Sequence, residues 1–411
     1  MADFLAAHAT HPDAHMALAL AAAQLDAQLA ARRATAVPGA ADARDRDRAW
    51  LGVCYITDRY ADRAETLLAE LRQRWPQVSW VGGVGIGVAA SGVEYVDEPA
   101  LVLLLAALPA GSFTLFSGAH PLARADVHTA LVHGDGETPD MAELLAELAQ
   151  RTTGGYLFGG LMASRGRAVQ FCAPAGAPAD GGVCEGGLSG VAFTARVRLL
   201  SRVTQGCQPV GPTRRVDAAQ DNIVATLDGQ TALSCLLGDL GVDLGAPREA
   251  VPRLRATLVG LTDASDDVLA HAGQFGADTR VRHLIGFDPL RSAVAIGDVV
   301  APGMQLTFCR RDAEAARRDL VRICAEIREE LNPDPDGGAP AARIAGAIYV
   351  SCSGRGGRHF GGPSAELQIV RHALGDVPLA GFFAGGEIAH HHLYGYTGVL
   401  TVFVDGEPSP S

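Results

Sequence analysis

The run Trp50-Leu51-Gly52-Val53-Cys54-Tyr55-Ile56, an apolar helical face after it, and then Val78-Ser79-Trp80-Val81-Gly82-Gly83-Val84-Gly85-Ile86-Gly87 together decide the fold. The first seven residues form a short apolar run of strand length. Tyr60, Ala64, Leu67, Leu68, Leu71 and Trp75 follow at i, i+4, i+7, i+8, i+11 and i+15, one face of a helix that Pro76 stops. A second apolar strand then runs into glycines. The same grammar returns twice. Thr138-Pro139 opens a helix with Met141, Leu144, Leu145 and Leu148 before Gly155-Tyr156-Leu157-Phe158-Gly159-Gly160. Pro363-Ser364 opens one with Leu367, Val370 and Leu374 before Val377-Pro378-Leu379-Ala380-Gly381-Phe382-Phe383 and Gly385-Gly386-Glu387. Strands alternating with helices of this length imply β-α-β units. The expected class is α/β, with α+β as its variant: two related layered halves, each with mixed sheets flanked by helices.

Outward from these units the chain reads as follows. A helix signalled by Pro12 and Asp13 carries Leu18, Leu25 and Leu29, and a solvated charged linker covers Ala34 to Ala49. Strand-rich stretches lie at Ala168–Cys172, Leu188–Val203 and Met304–Cys309, and further helices at Thr231–Leu240 and Asp312–Glu330. Asn332–Pro340 reads as a surface connection. The main boundary is expected near residue 205, dividing the chain into 1–205 and 206–411.

Composition narrows the function. The chain has 411 residues, 48% hydrophobic against 19% charged, and a net charge of −12. That balance excludes disorder as the main state and offers no attraction to nucleic acid or anionic membranes. There is no lysine, so Schiff-base and P-loop lysine chemistry is excluded. The longest apolar run, Ala100–Leu108, is about half of the roughly 20 residues that span a bilayer. Met1-Ala2-Asp3-Phe4 carries an acid where a secretory signal carries positive charge, so a cytoplasmic location is expected. Eight scattered cysteines contain no Cys-x-x-Cys pair, which points to buried hydrophobes rather than a zinc ribbon.

The densest functional segment is Ile348-Tyr349-Val350-Ser351-Cys352-Ser353-Gly354-Arg355-Gly356-Gly357-Arg358-His359-Phe360-Gly361-Gly362. A strand ending in glycines, a thiol, two guanidiniums and an imidazole makes a good cradle for an anion. Cys352 and Arg358 also satisfy the Cys-x5-Arg spacing of cysteine phosphatases, but Gly361-Gly362-Pro363 defers the helix that would lower the thiol pKa. A structural thiol is the favoured reading, with a Cys352-dependent hydrolase as the enzymatic alternative. Thr204-Gln205-Gly206-Cys207-Gln208-Pro209-Val210-Gly211-Pro212 reads as an inter-domain turn, or otherwise as a site wall with Cys207 facing in. In Gly385-Gly386-Glu387, the carboxylate is the site-facing candidate. His390-His391-His392 cannot all face one metal, because adjacent side chains point apart on any regular element. Gly83-x-Gly85-x-Gly87 does not match a dinucleotide fingerprint.

Several of these segments, in this order, resemble the FIST domain family: Thr204–Pro212, Leu227-Asp228-Gly229, Ile285-Gly286-Phe287-Asp288-Pro289, Ser351–Gly356, and Pro378–Glu387 with Tyr396-Thr397-Gly398. Val81-Gly82-Gly83 and Gly159-Gly160-Leu161 are similar to that family's N-terminal half, although its usual glycine-cysteine is Gly82-Gly83 here. The resemblance implies a non-enzymatic sensory module with an N-terminal-like and a C-terminal-like domain. It implies a small ligand, such as an amino acid or other small carboxylate, bound between the halves. A haem-based nitric oxide sensor is the alternative that the family allows, so haem is the one cofactor to consider. No output domain follows Val404, so signalling to a partner protein in trans is expected. The expected ligand contacts are Arg355, Cys352, Ser353, Gly354, Arg358, His359, Cys207, Gly385, Gly386 and Glu387. Arg355 is first choice for a ligand carboxylate, its removal expected to abolish binding with little loss of melting temperature.

Overall fold

The computed structural model describes residues 3–35, 47–177, 181–263, 279–332 and 342–405. Most of the expected linker at 34–49 and of the connection at 332–340 lies outside these. The chain divides into two compact units, the first built from residues 1–204, 320–393 and 397–411, the second from 205–319 and 394–396.

The first unit carries the sequence repeats. Its elements are β1 (Asp3–Thr10), α1 (Ala14–Thr35), β2 (Arg48–Thr57), α2 (Ala64–Arg74), β3 (Val78–Gly85), β4 (Gly87–Ala90), β5 (Val93–Val96) and β6 (Ala100–Pro109). β7 (Phe113–Phe116), β8 (Val127–Asp135), α3 (Met141–Gln150), β9 (Tyr156–Met162), β10 (Gln170–Ala173), β11 (Val183–Cys184), β12 (Leu188–Thr194) and β13 (Leu199–Gln205) follow.

The chain then enters the second unit. There β14 (Cys207–Pro209), β15 (Arg214–Gln220), β16 (Ile223–Leu227), β17 (Gln230–Thr231), α4 (Ala232–Leu240), α5 (Pro247–Arg255), β18 (Thr257–Thr262), β19 (Arg280–Asp288), β20 (Ala293–Ile296) and β21 (Gln305–Arg311) occur in order. Along α6 (Ala313–Leu331) the chain returns to the first unit. β22 (Arg343–Cys352), α7 (Ala365–Leu374), β23 (Leu379–Ala384), β24 (Glu387–His390), β25 (His392–Tyr394) and β26 (Thr397–Asp405) complete the chain.

Three six-stranded sheets share one strand order: β1-β6-β2-β3-β10-β11, β7-β12-β8-β9-β24-β25 and β13-β26-β22-β23-β4-β5. At the centre of each is a parallel pair joined by a helix, namely β2-α2-β3, β8-α3-β9 and β22-α7-β23. An antiparallel strand flanks each pair. The hairpin that follows each unit leaves its own sheet: β4-β5 joins β23, β10-β11 joins β3, and β24-β25 joins β9. This cyclic exchange interlocks the three repeats. Mixed α/β architecture with mixed sheets is thus what the sequence grammar produces, and the repetition is threefold within the first unit.

The glycines that sequence reading treats as a loop continue the strands. A Cβ on Gly82, Gly159 or Gly381 would stand 2.0, 1.9 or 2.1 Å from the carbonyl oxygen of Cys54, Val132 or Tyr349 on the parallel partner. These three residues are register partners of those glycines. Any side chain would prise the pair apart, so the close approach requires glycine. The predicted helical face is buried along its whole length, from Tyr60 to Trp75.

The second unit is all antiparallel around its sheet. β21, β15, β16, β20, β19 and β18 pair in turn, and β18 pairs back to β21, closing a ring without open sides. Val216, Leu227, Leu233, Leu236, Val259, Val294, Leu306 and Phe308 belong to its core. The stretch at 204–212 departs from the expected turn. Cys207–Pro209 is a strand, because its backbone pairs with Cys309–Arg311 of β21.

Candidate functional site

At the carboxyl end of β22, Cys352 lies opposite Ala384 of β23. Ser353 N donates to Ala384 O at 2.9 Å, and Arg355 N donates back to Cys352 O at 2.8 Å. The chain therefore reverses tightly at Gly354, which turns the Arg355 side chain inward. That side chain is 1% exposed. Its Nε donates to Glu366 Oε1 at 2.9 Å, and Nη2 lies 2.8 Å from the same oxygen. Nη1 donates at 3.5 Å to Thr204 O, and the guanidinium stands 5.1 Å from the Phe360 ring centroid. Glu366, in the first turn of α7, also accepts from Tyr349 Oη at 2.7 Å and from Ser351 Oγ at 3.1 Å. Burial works against the Arg355 charge, but Glu366, Tyr349 and Glu387 together outweigh it and hold the guanidinium firmly protonated.

Where the sequence suggests a cradle for an anion, the chain's own carboxylates, Glu366 and Glu94, take the donors. Glu94 of β5 accepts N–H bonds from Glu366 at 2.9 Å, Leu367 at 3.1 Å and Gly357 at 3.2 Å. A carboxylate at those donors is where the dipole of α7 favours negative charge. Burial and the neighbouring Glu366 nonetheless push the Glu94 carboxyl upward. Removing Arg355 would strand Glu366 in the interior, so the expectation of little stability loss is corrected: this side chain is a structural partner as well as a site candidate.

Glu387 is the group with least compensation. It opens β24 opposite Gly160 of β9 and is 0% exposed. Its Oε2 accepts from Thr397 N at 3.0 Å and from Thr397 Oγ1 at 2.7 Å. Oε1 has no hydrogen-bond partner of normal geometry, and neither has Arg355 Nη2, whose contact with Glu366 is off-line. Burial drives the Glu387 carboxyl up to about 7, against the pull of Thr397, Arg355 and Cys352. One buried acceptor, Glu387 Oε1, thus lacks a hydrogen-bond donor, while Arg355 Nη2 has its ion pair with Glu366.

The remaining candidates are distributed around this centre or away from it. Ser353 and Gly385 are exposed, Gly354 half-buried and Gly386 buried. Gly385 N donates to Leu161 O at 3.0 Å, and Leu161 N returns a bond to Gly386 O at 2.8 Å. His359 is half-buried with its ring against Phe360. The Arg358 side chain lies outside the described residues. Cys207 belongs to the second unit, where it packs with Cys309, Leu258 and Val281. Glu94 and Glu366 carry no signal in the sequence, whereas Tyr349, Ser351 and Thr397 lie in its motifs without an assigned role. Thr397 had a signal in its motif, while Glu94 sits in a hairpin with none.

Haem needs an axial imidazole or thiolate beside a flat apolar cleft. The buried His133 is instead held by Tyr55 Oη at 2.9 Å and packs on Phe382, and burial lowers it to about 3. His390 packs on Tyr156, and His391 and His392 face each other at 3.9 Å. A surface pocket of about 650 Å³, bounded by Arg328, Leu331, Arg343, Leu374 and Pro378, is lined by neither His nor Cys. These surroundings do not fit the group. Among the described residues no cluster of three or more His, Cys, Asp or Glu could hold a metal ion, and no helix is long and apolar enough to cross a membrane.

Comparisons with known protein sequences bear on the family. The FIST N domain model matches residues 50–230 and the FIST C domain model residues 232–390. A protein of Mycobacterium tuberculosis described as uncharacterized is 31% identical over 380 residues, covering 86% of this chain and 91% of the relative. One from Mycobacterium bovis, also described as uncharacterized, is 30% identical over 395 residues, 91% of this chain and 96% of its own. The chain belongs to the FIST family, whose domains serve sensing and signal transduction.

Proposed function

We propose that this chain is a cytoplasmic sensor that binds a small amine-bearing metabolite, an amino acid being the fitting class, beside Arg355 and Glu387. The observation that carries this is the buried Glu387 Oε1, an acceptor that no hydrogen bond answers. A molecule with an ammonium supplies the missing donor. Entry is from the exposed side at Ser353 and Gly385. Occupancy is felt by α7, because Arg355 holds Glu366 of its first turn, and Glu94 of β5, which accepts from Gly357 N, also accepts from Glu366 N. A ligand that binds one arrangement of the loop better than another shifts the population, and a separate protein reads the result.

The test is native mass spectrometry of the chain purified from its own host, with a Glu387→Gln variant beside it. The wild type is expected to carry the added mass of a small amine-bearing molecule that denaturation releases, and the variant to hold it about tenfold more weakly. A bare wild-type mass, together with no shift in melting temperature against the proteinogenic amino acids, overturns the reading.

A further inference from the structure

At the amino ends of β22 and β23, away from the Cys352 corner, the first unit holds the surface pocket of about 650 Å³. Small-molecule sites run from roughly 300 to 1,000 Å³, so the space suits one. It lies between the last turns of α6 and α7, the first residues of β22 and the entry to β23. Leu331, Ile344, Leu374 and Pro378 give it an apolar lining, Leu331 buried and the others half-buried. Arg328, Glu329, Asn332, Arg343 and Asp376 stand exposed around it, so it opens to solvent.

Two helices ending at one place favour a cation through their free carbonyls. Here those carbonyls are answered. Leu331 O accepts from Ala342 N at 3.1 Å, Arg328 O from Asn332 N at 3.1 Å and Arg371 O from Gly375 N at 2.8 Å. Ala373 O accepts from Arg328 Nη1 at 3.4 Å. Asp376 is answered as well, by Arg371 Nε at 2.6 Å. Among the described residues, the charged lining side chains without an ion pair are then Arg328, Arg343 and Glu329. Arg343 lies opposite Asp405 along the strand pair, and no ion pair joins them. Two guanidiniums against one carboxylate leave a positive charge in excess above an apolar floor.

We propose that this pocket is a binding site for a small monoanion with an apolar body, a carboxylate on a hydrocarbon chain. The chain rests on Leu331, Ile344, Leu374 and Pro378, and the carboxylate takes the Arg343 guanidinium as a charge-assisted, two-oxygen partner. An ammonium compound is the wrong ligand, since the carbonyls it would need are taken and two guanidiniums repel it. The site is separate from Arg355 and Glu387 and stands or falls apart from the sensor reading.

Isothermal titration calorimetry of the full chain with octanoate, and with octylamine as its cationic counterpart, tests this. Octanoate is expected to bind at one site with a Kd below about 1 mM, at least about tenfold tighter than octylamine. Arg343→Ala should weaken octanoate binding about tenfold. Because Arg343 is exposed and forms no ion pair among the described residues, the variant should melt with the wild type. Absence of saturable heat up to about 10 mM octanoate, or equal affinity for octylamine, overturns the proposal on the wild type alone. An Arg343→Ala variant that binds octanoate as the wild type does overturns it too.

Discussion

Gln170 and Glu387 occupy the same place in two different sheets. Each lies on the strand that an exchanged hairpin adds beside a parallel pair, and each sits opposite a glycine, Gly83 for one and Gly160 for the other. Both are 0% exposed. Gln170 is satisfied: Oε1 accepts from Ser189 Oγ at 2.7 Å, and Nε2 donates to Gly186 O at 3.2 Å and Gly187 O at 3.4 Å. Glu387 has an acidic head in the same slot, with one oxygen held and one not. The third sheet has Val88 there, opposite Phe382. An amide that closes the structure, a carboxylate that leaves it open and an apolar residue thus share one scaffold position. The difference locates the site in the third repeat's hairpin, because buried polar groups stay unmatched where binding needs them.

The comparison rests on the scaffold being equivalent, and the largest expected effect tests that. Gly82→Ala and Gly159→Ala each place a Cβ about 2 Å from a carbonyl oxygen. Both should cost more than about 4 kcal/mol, seen as loss of cooperative unfolding or of soluble protein. Gly118→Ala, with open space around it, should be nearly neutral. If one repeat tolerates the methyl and the other does not, the repeats are not equivalent and the comparison between Gln170 and Glu387 breaks.

Next in size is the ion pair behind the site. Arg355→Ala leaves Glu366 buried with Tyr349 and Ser351 as its remaining side-chain donors. A loss of about 3–5 kcal/mol in urea-induced unfolding is expected, and adding Glu366→Gln should recover part of it. A loss below about 1 kcal/mol would mean that the pair is water-exposed, and that Arg355 is free to serve a ligand as sequence alone suggested.

How much of this was legible follows from which forces are local. The helix from Tyr60 to Trp75 and the glycine-ended strands were readable because periodicity and steric need are properties of neighbouring residues. Cys352 and Glu387 were readable as candidates because each stands beside glycines at a strand end. The partner of Arg355 was not, since nothing in the sequence announces that Glu366, rather than a ligand, answers its charge. Glu94 was further out of reach, because it arrives at α7 only through the exchange of a hairpin between sheets. Cys207 looked like a turn residue from its Gly and Pro neighbours, whereas pairing with β21 made it a strand. Local chemistry reports which residues are special, and long-range pairing decides what they touch.

The smallest effect separates the two slots by pH. The folded Glu387 carboxyl titrates at about 7, against about 4.3 in an unfolded chain. Below about pH 4 it is protonated in both states, and its contribution to stability is fully present. Between about 4 and 7 the unfolded state releases the proton while the folded state keeps it, so wild-type stability falls as pH rises. Above 7 the loss levels off at about 4 kcal/mol. Glu387→Gln turns this slot into a non-titrating one, as at Gln170. Its stability relative to wild type should therefore climb by about 3 kcal/mol from pH 4 to pH 8, other titrations cancelling between the two proteins. Urea midpoints at both pH values measure it. A pH-independent difference would mean that Glu387 titrates in the folded chain as it does in the unfolded one, and would remove the asymmetry with Gln170 on which the site assignment depends.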